Sequence, residues 1–313
     1  MKNSHKVKLF AVSSLLALSL MAPMTAAAEA QEHGYYLYDY ETKKETFIPL
    51  EEYSDLRDEN ELKPLRVGES VVYETEPYTP ESLRDDEASP FSVIGSDDRV
   101  IVNPNQSPYC RIIALRMGQD KDGDGKAESW YLGTGFMEGP DCFVTAAHCM
   151  WDEEYGNVEE MRLYPRQNGS SYGDVFYYPL QWITPAEYKN GDDNYDWCIV
   201  KLQNNLGDSL GWFGKSTGSV LSKEVIVGGY PADYNGRQTT SVGRVTWENT
   251  YRLNHTADTK GGSSGGPIYA SNGMVYAIHT NGATSYYNGG VRITKRMFDI
   301  MQRYYLEGVE KWH

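Results

Sequence analysis

Positive charge is scarce in this chain of 313 residues: 29 Lys and Arg stand against 44 Asp and Glu, a formal charge of -15. A surface of that sign repels DNA, RNA and anionic membranes, which excludes polyanion binding as a first expectation. Long apolar runs are missing from the interior of the chain, where no stretch approaches the roughly 20 residues needed to span a bilayer. Cysteine is sparse as well. The four present (Cys110, Cys142, Cys149 and Cys198) allow at most two disulfides, in three alternative pairings. Apolar material is not lacking: 40% of the residues are hydrophobic, which excludes a chain disordered throughout. The length suits one large domain or two smaller ones.

The one long apolar stretch opens the chain. Lys2, Lys6 and Lys8 form a basic start, residues 9–21 are almost all apolar or small, and small residues follow at Ala26 and Ala28. This is the three-part pattern of a secretory signal over residues 1–30, cut after Ala28 or Ala30, and the apolar run is too short for a membrane anchor. The chain is therefore expected to be secreted into an extracellular, oxidising setting where disulfides persist.

Charge then divides the remainder in two. Residues 31–91 hold 17 acidic and 6 basic residues, while residues 92–313 hold 26 and 20. The first stretch is charged, weakly periodic and poor in Gly. It reads as a propeptide, with a small separate module as the alternative. The second stretch alternates short β-type runs (RIIALRMG, SWYLGTGFM, CFVTAAH, EVIVGGYP, TTSVGRVTW, GGPIYA, MVYAIHT) with turn residues, the mark of an all-β barrel or sandwich. A single helix closes the chain, capped by Thr294, with Met297, Ile300, Met301 and Tyr304 on one face.

Three motifs carry chemistry. In GGSSGGP, residues 261–267, Ser264 lies among glycines that permit a tight turn with an exposed hydroxyl. The backbone N–H groups of Gly262 and Ser264 are then free to face a developing oxyanion. VTAAHC places His148 just past a β-type run, and YDWCIVKL places Asp196 at the start of a buried-looking strand. A serine nucleophile needs a base to take its proton and a buried carboxylate to orient that base. Each residue alone has a bland reading as a structural histidine, a turn aspartate or a linker serine. Together, in the order His148, Asp196, Ser264, they form a catalytic set. His148 must be neutral to act, so activity is expected to fall on the acid side near the ordinary histidine value of about 6.5.

Through TAAHC, YDWCIVKL and GGSSGGPIY, residues 92–313 resemble the glutamyl endopeptidases, bacterial trypsin-like serine proteases of bacilli and staphylococci. SVIGSDDR from Ser92 resembles the mature N-terminus of the bacillus members, and HTNG and VRITKRMFD resemble their C-terminal segment. The resemblance implies two six-stranded antiparallel β-barrels with a C-terminal helix and a boundary near 205–220. His148 and Asp196 would come from the first barrel and Ser264 from the second. It implies a monomer that cuts proteins and peptides after Glu, more weakly after Asp, through an acyl-enzyme, and that requires no cofactor. Thr259 and His279 fall where the family holds the substrate carboxylate, and a freed amine at Ser92 would help neutralise it. His279 suits that task as a hydrogen-bond donor or as a cation. Asp258 could favour Arg or Lys instead, but the bacillus members share an aspartate there.

Three features depart from the pattern. Trypsin-like enzymes often pair the cysteine after the histidine with one about sixteen residues upstream, where this chain has Gly133. Cys149 therefore pairs elsewhere, with Cys142 as one choice, or stays free. Cys198 reads as a buried thiol or a disulfide member. Phe91 precedes Ser92, so a Glu-specific enzyme would not release that terminus itself. Another protease of hydrophobic preference would do so, or processing starts after Glu87. Finally, Asp120, Asp122, Asp124 and Glu128 in DKDGDGKAE fit the start of a calcium loop, although Tyr131 stands where an EF-hand carries Glu. A structural calcium and a plain acidic hairpin loop are the two readings. The competing functions are a trypsin-like protease of other specificity and an inactive, partner-binding homologue. The second usually loses a triad residue, and here all three are kept.

Overall fold

The computed structural model describes residues 33–51, 65–67, 70–83, 97–282 and 287–313. The signal segment, the stretch around Glu87 and Ser92 lie outside them. Among the described residues no helix is long and apolar enough to cross a membrane.

β-branched and apolar runs become strands, those at the centre of each barrel buried on both faces, and Gly-rich or acidic turns separate them. A leading hairpin consists of β1 (Gly34–Asp39) and β2 (Lys44–Pro49). The first barrel is built from β3 (Ile112–Gln119), β4 (Ser129–Met137), β5 (Cys142–Thr145), β6 (Glu160–Pro165), β7 (Pro179–Pro185) and β8 (Cys198–Leu202). Its hydrogen-bonded order is β6-β3-β4-β5-β8-β7, and the hairpin continues this sheet through β1 on β7. A bridge between Leu163 and Tyr177 closes the seam between β6 and the approach to β7.

The chain then passes to β9 (Gly214–Ser216), which runs parallel to a strand of the second barrel. That barrel comprises β10 (Glu224–Gly229), β11 (Thr239–Glu248), β12 (Arg252–His255), β13 (Pro267–Tyr269), β14 (Met274–Gly282) and β15 (Asn288–Arg292). The order β13-β10-β11-β12-β15-β14 closes through pairing of β13 with β14. The expected pair of six-stranded antiparallel barrels is thus the observed architecture.

A C-terminal helix, Lys295–Trp312, begins where the Thr294 hydroxyl accepts the Met297 N–H at 3.2 Å. Its buried face, including Met297, Phe298, Ile300, Met301 and Tyr304, joins the core shared with Ile112, Phe136 and Trp197. Two buried ion pairs fix relative positions. Lys215 on β9 meets Glu138 at 2.6 Å, and Lys201 on β8 meets Asp141 at 2.9 Å while donating to the Tyr304 carbonyl at 3.1 Å. Such pairs contribute little net stability, but breaking one strands a buried charge, so they enforce a register.

The expectation of disulfides is not met: all four cysteines are unpaired and buried. β5 rises about 3.3 Å per residue and so carries Cys142 well away from Cys149 beyond its far end. Cys142 donates to Glu138 at 3.3 Å and Cys110 to the Leu210 carbonyl at 3.1 Å, each in its own part of the core.

Candidate active site

β5 is buried along its length and runs out at Thr145. Ala146 and Ala147 have no exposed surface, so the turn that follows packs flush against the core. In that short turn, Ala147–Cys149, His148 alone reaches solvent, with a side chain 36% exposed. A second turn, Asp193–Tyr195, delivers Asp196 just before β8. One Asp196 oxygen accepts the backbone N–H of His148 at 2.9 Å and the other faces His148 Nδ1 at 2.8 Å. Asp196 is thereby committed to both ends of the same residue and holds the imidazole with Nε2 turned away from it.

Burial would lower the His148 pKa, but the adjacent Asp196 carboxylate, with Cys149 beside it, outweighs burial and holds the group well above its ordinary 6.5. A base must be neutral to accept a proton, so the acid limb of activity moves above 6.5 rather than sitting at it.

The loop bearing Ser264 comes from the second barrel and is clamped by the first. Thr134 on β4 makes the clamp: its N–H donates to the Ser264 carbonyl at 2.8 Å and its hydroxyl donates to the Gly262 carbonyl at 2.7 Å. The same hydroxyl accepts the Tyr230 N–H at 3.0 Å. The glycines answer to space as well as to conformation. Gly262 has φ +99, and a Cβ there would lie 2.5 Å from the Tyr230 carbonyl. Gly265 has φ +86, and a Cβ there would lie 2.1 Å from both Thr134 O and Thr145 Oγ1. Among the described residues, the N–H groups of Gly262 and Ser264 donate to no backbone carbonyl outside regular strands and helices. His148, Ser264 and Cys149 line one cleft of about 300 Å³, together with Gln119, Asp152 and Tyr155.

His279 on β14 is locked to this loop through its backbone: its carbonyl accepts from Gly265 N and its N–H donates to Gly266 O, both at 2.8 Å. Its ring is 3% exposed, and the buried Nδ1 has no partner among the described residues. Behind it lies His255, whose ring centroid is 5.6 Å away. Burial lowers His255 to about 4, and burial with the neighbouring His255 and His148 lowers His279 to about 3. Both rings are neutral near pH 7, so of the two roles open to His279 the hydrogen-bond donor is the one the surroundings favour. Thr259 is half-buried in the segment leading to the Ser264 loop. Asp258 is already engaged: its carboxylate accepts the Asp98 N–H at 3.1 Å, and its own N–H donates to Ser241 Oγ at 2.8 Å. It ties down the start of the protease region. Ser92, a few residues earlier, lies outside the described residues.

The acidic loop follows Gln119 at the edge of the cleft. Asp120, Asp122, Asp124 and Glu128 each bring an oxygen to within 4.8 Å of the others, and none of them lines the cleft. Asp120 also accepts the N–H groups of Gly123 and Gly125, both at 2.7 Å, and Lys126 Nζ is 3.0 Å from Asp124. Two residues of the site, Thr134 and His255, carried no signal in the sequence. Both take their meaning from a neighbour on another strand.

Replacing Thr134 by Val should leave the Gly262 carbonyl and the Tyr230 N–H unpaired in a buried place and loosen the loop. We expect kcat to fall on the order of ten-fold with KM little changed, and Thr134→Ser to restore it. Equal kcat values for the Val variant and the parent would show that the clamp does not position the loop.

Two barrels with this cleft between them define a trypsin-like serine peptidase. The Trypsin-like peptidase domain matches residues 133–278. The chain is 34% identical to the glutamyl endopeptidase of Bacillus licheniformis over 223 residues, 66% of this chain and 67% of that protein. It is 32% identical to the extracellular metalloprotease of Bacillus subtilis over 228 residues, 68% of this chain and 69% of that one. A solved Glu endopeptidase superposes with a TM-score of 0.57 at 24% identity, covering 69% of this chain and all of that one. The chain belongs to the glutamyl endopeptidase family of trypsin-like serine peptidases.

Proposed function

We propose that the protein is a secreted, monomeric endopeptidase that hydrolyses protein and peptide bonds after Glu, and more weakly after Asp. The observation that carries the catalytic half is the double engagement of His148 by Asp196 at the rim of the cleft that Ser264 shares. Ser264 Oγ attacks the scissile carbonyl as His148 takes its proton, and the N–H groups of Gly262 and Ser264 receive the oxyanion. The acyl-enzyme forms as the protonated His148 hands its proton to the leaving amine. Water then enters by the same route in reverse. Secretion is supported by the signal pattern of residues 1–30 and by the extracellular name of the Bacillus subtilis relative.

The specificity half rests on His279. The domain is net acidic, so a substrate carboxylate approaches against an unfavourable field, and a buried donor fixed beside the nucleophile loop offsets it locally. Thr259 adds a hydroxyl, and a freed amine at Ser92 would add charge. Replacing His279 by Ala should cut the Glu-over-Gln preference by the worth of one charge-assisted hydrogen bond, about 1.5–3 kcal/mol or roughly 10- to 150-fold. Matched Glu and Gln peptides measure it, and an unchanged ratio removes His279 from the pocket.

The four acidic side chains of the Asp120 loop form an all-oxygen donor set that suits calcium. An ion held there would relieve their mutual repulsion and act on stability, away from the reacting atoms. A fall in melting temperature on adding a chelator is its readout, and no shift would remove calcium from the account.

A further inference from the structure

The segment around Asp98 is bound to the second barrel by side chains as well as backbone. Val100 and Ile101 pair antiparallel with Thr240 and Thr239 of β11. One residue earlier, Arg99 forks between Asp97 and Asp233, at 2.8 Å to each, with its side chain 7% exposed. Asp98 is thereby fixed beside β11, where it enters a closed ring of three hydrogen bonds. The hydroxyl of Ser241, a residue 2% exposed, donates to the Asp98 carboxylate and accepts the Asp258 N–H at 2.8 Å. The Asp258 carboxylate accepts the Asp98 N–H at 3.1 Å and completes the ring. The residue before Asp258 is held as firmly. Asn288 Nδ2 donates to the Ala257 carbonyl at 2.8 Å, and a Cβ on Gly243 would lie 2.1 Å from Ala257 N.

Asp258 directly precedes Thr259, one of the two residues read as facing the substrate carboxylate. A free carboxylate at this point of the pocket would repel Glu and attract Lys or Arg, a choice that residue types alone leave open. In the ring, the Asp258 side chain is committed to the backbone of Asp98 and its own N–H to Ser241, so neither end of the residue is free to turn. His279 is neutral near pH 7 and offers a donor without a charge. Such a donor is a weak counter to a bare aspartate nearby, so the sign of the pocket depends on where the Asp258 carboxylate is held.

We infer that Ser241 and Asp98 are positioning residues for specificity: their ring keeps the Asp258 carboxylate out of the substrate pocket, so that the pocket takes an acidic side chain and refuses a basic one. The inference rests on the reading that the enzyme cuts after Glu. Specificity is a difference of affinities, and withdrawing a repelling charge raises the ratio for Glu as adding a donor does.

The test uses the full chain, matured and purified, with peptides that differ only in Glu, Gln or Lys before the scissile bond. Ser241→Ala removes the hydroxyl that bonds both aspartates. The Glu-over-Gln ratio of kcat/KM should then fall about ten-fold and cleavage after Lys should rise by a similar factor, the effect of one carboxylate on a unit charge at partly screened range. Asp98→Ala asks the same question without touching the buried serine. It keeps the N–H that Asp258 accepts but loses the acceptor of the Ser241 hydroxyl, and should fall between the parent and Ser241→Ala. Ser241→Ala combined with Asp258→Asn should return to the parent ratio, since no charge is left to release. Mere loosening of the turn would show no such rescue. Thermal unfolding of the same samples checks that each is folded. An unchanged ratio in folded Ser241→Ala and Asp98→Ala overturns the inference, as does a fall that Asp258→Asn does not restore. A parent that cuts after Gln as readily as after Glu overturns the reading of the reaction itself, and the inference with it.

Discussion

Ser264→Ala abolishes peptide hydrolysis: kcat/KM falls on the order of 10⁴-fold or more while the melting temperature stays near that of the parent. The size follows from how a triad works. Without the hydroxyl no acyl-enzyme can form, and the remaining members do not substitute for it because they act as one unit. What survives is the oxyanion site and substrate binding, which is why the residual rate still exceeds that of water. The fold should survive because Ser264 is held through its backbone, by Thr134 N–H on its carbonyl, and Ala preserves that bond. Kinetics on a Glu peptide with thermal unfolding of the same sample decide the matter. A purified variant within ten-fold of the parent rate would mean that the nucleophile is elsewhere.

Asp196→Asn is expected to cost about 10⁴-fold, since the amide favours the wrong tautomer of the base. The structure adds a second signature. Asp196 is the group that lifts His148 against the downward pull of burial. Removing its charge leaves burial opposed only by the neighbouring Cys149, so the residual activity of the variant should show its acid limb at lower pH than the parent. The parent limb lies above 6.5 because the raised pKa keeps the base protonated longer as pH rises. Two pH–rate profiles test the sign. A rate loss with no movement of the limb would show that Asp196 positions His148 without setting its titration.

Strand content and the helix at the end were legible in the sequence because their signals are local. Runs such as CFVT and CIVKL are mostly apolar and buried on both faces, and Thr294 stands one place before the closing helix. The candidate residues of the site were legible for a related reason: TAAHC and GGSSGG each encode their own turn, and DWCIVKL encodes the buried strand that starts just after Asp196. Ala146 and Ala147 are small enough to bury, which leaves His148 at the rim, and Gly262, Gly265 and Gly266 are demanded because a Cβ there would lie 2.1 to 2.5 Å from a backbone carbonyl oxygen. The cysteines misled, because four thiols in a chain with an export pattern suggest bonds while the barrel distributes them among separate buried places.

By itself, then, the sequence determined the export pattern, the β-rich character, the order of the three candidate catalytic residues and the acidic balance. These depend on residue type and short spacing. Only the tertiary structure decided that Thr134 clamps the loop of Ser264, that His255 sits behind His279 and keeps company with a neutral ring, and that Asp258 is occupied by Asp98. It alone joined Gly34–Pro49 to β7, across more than 140 residues of chain. Pairings of that range are settled by which strand edges remain open once the barrel has curved, and by which buried polar groups then need partners. No local pattern of residues encodes either.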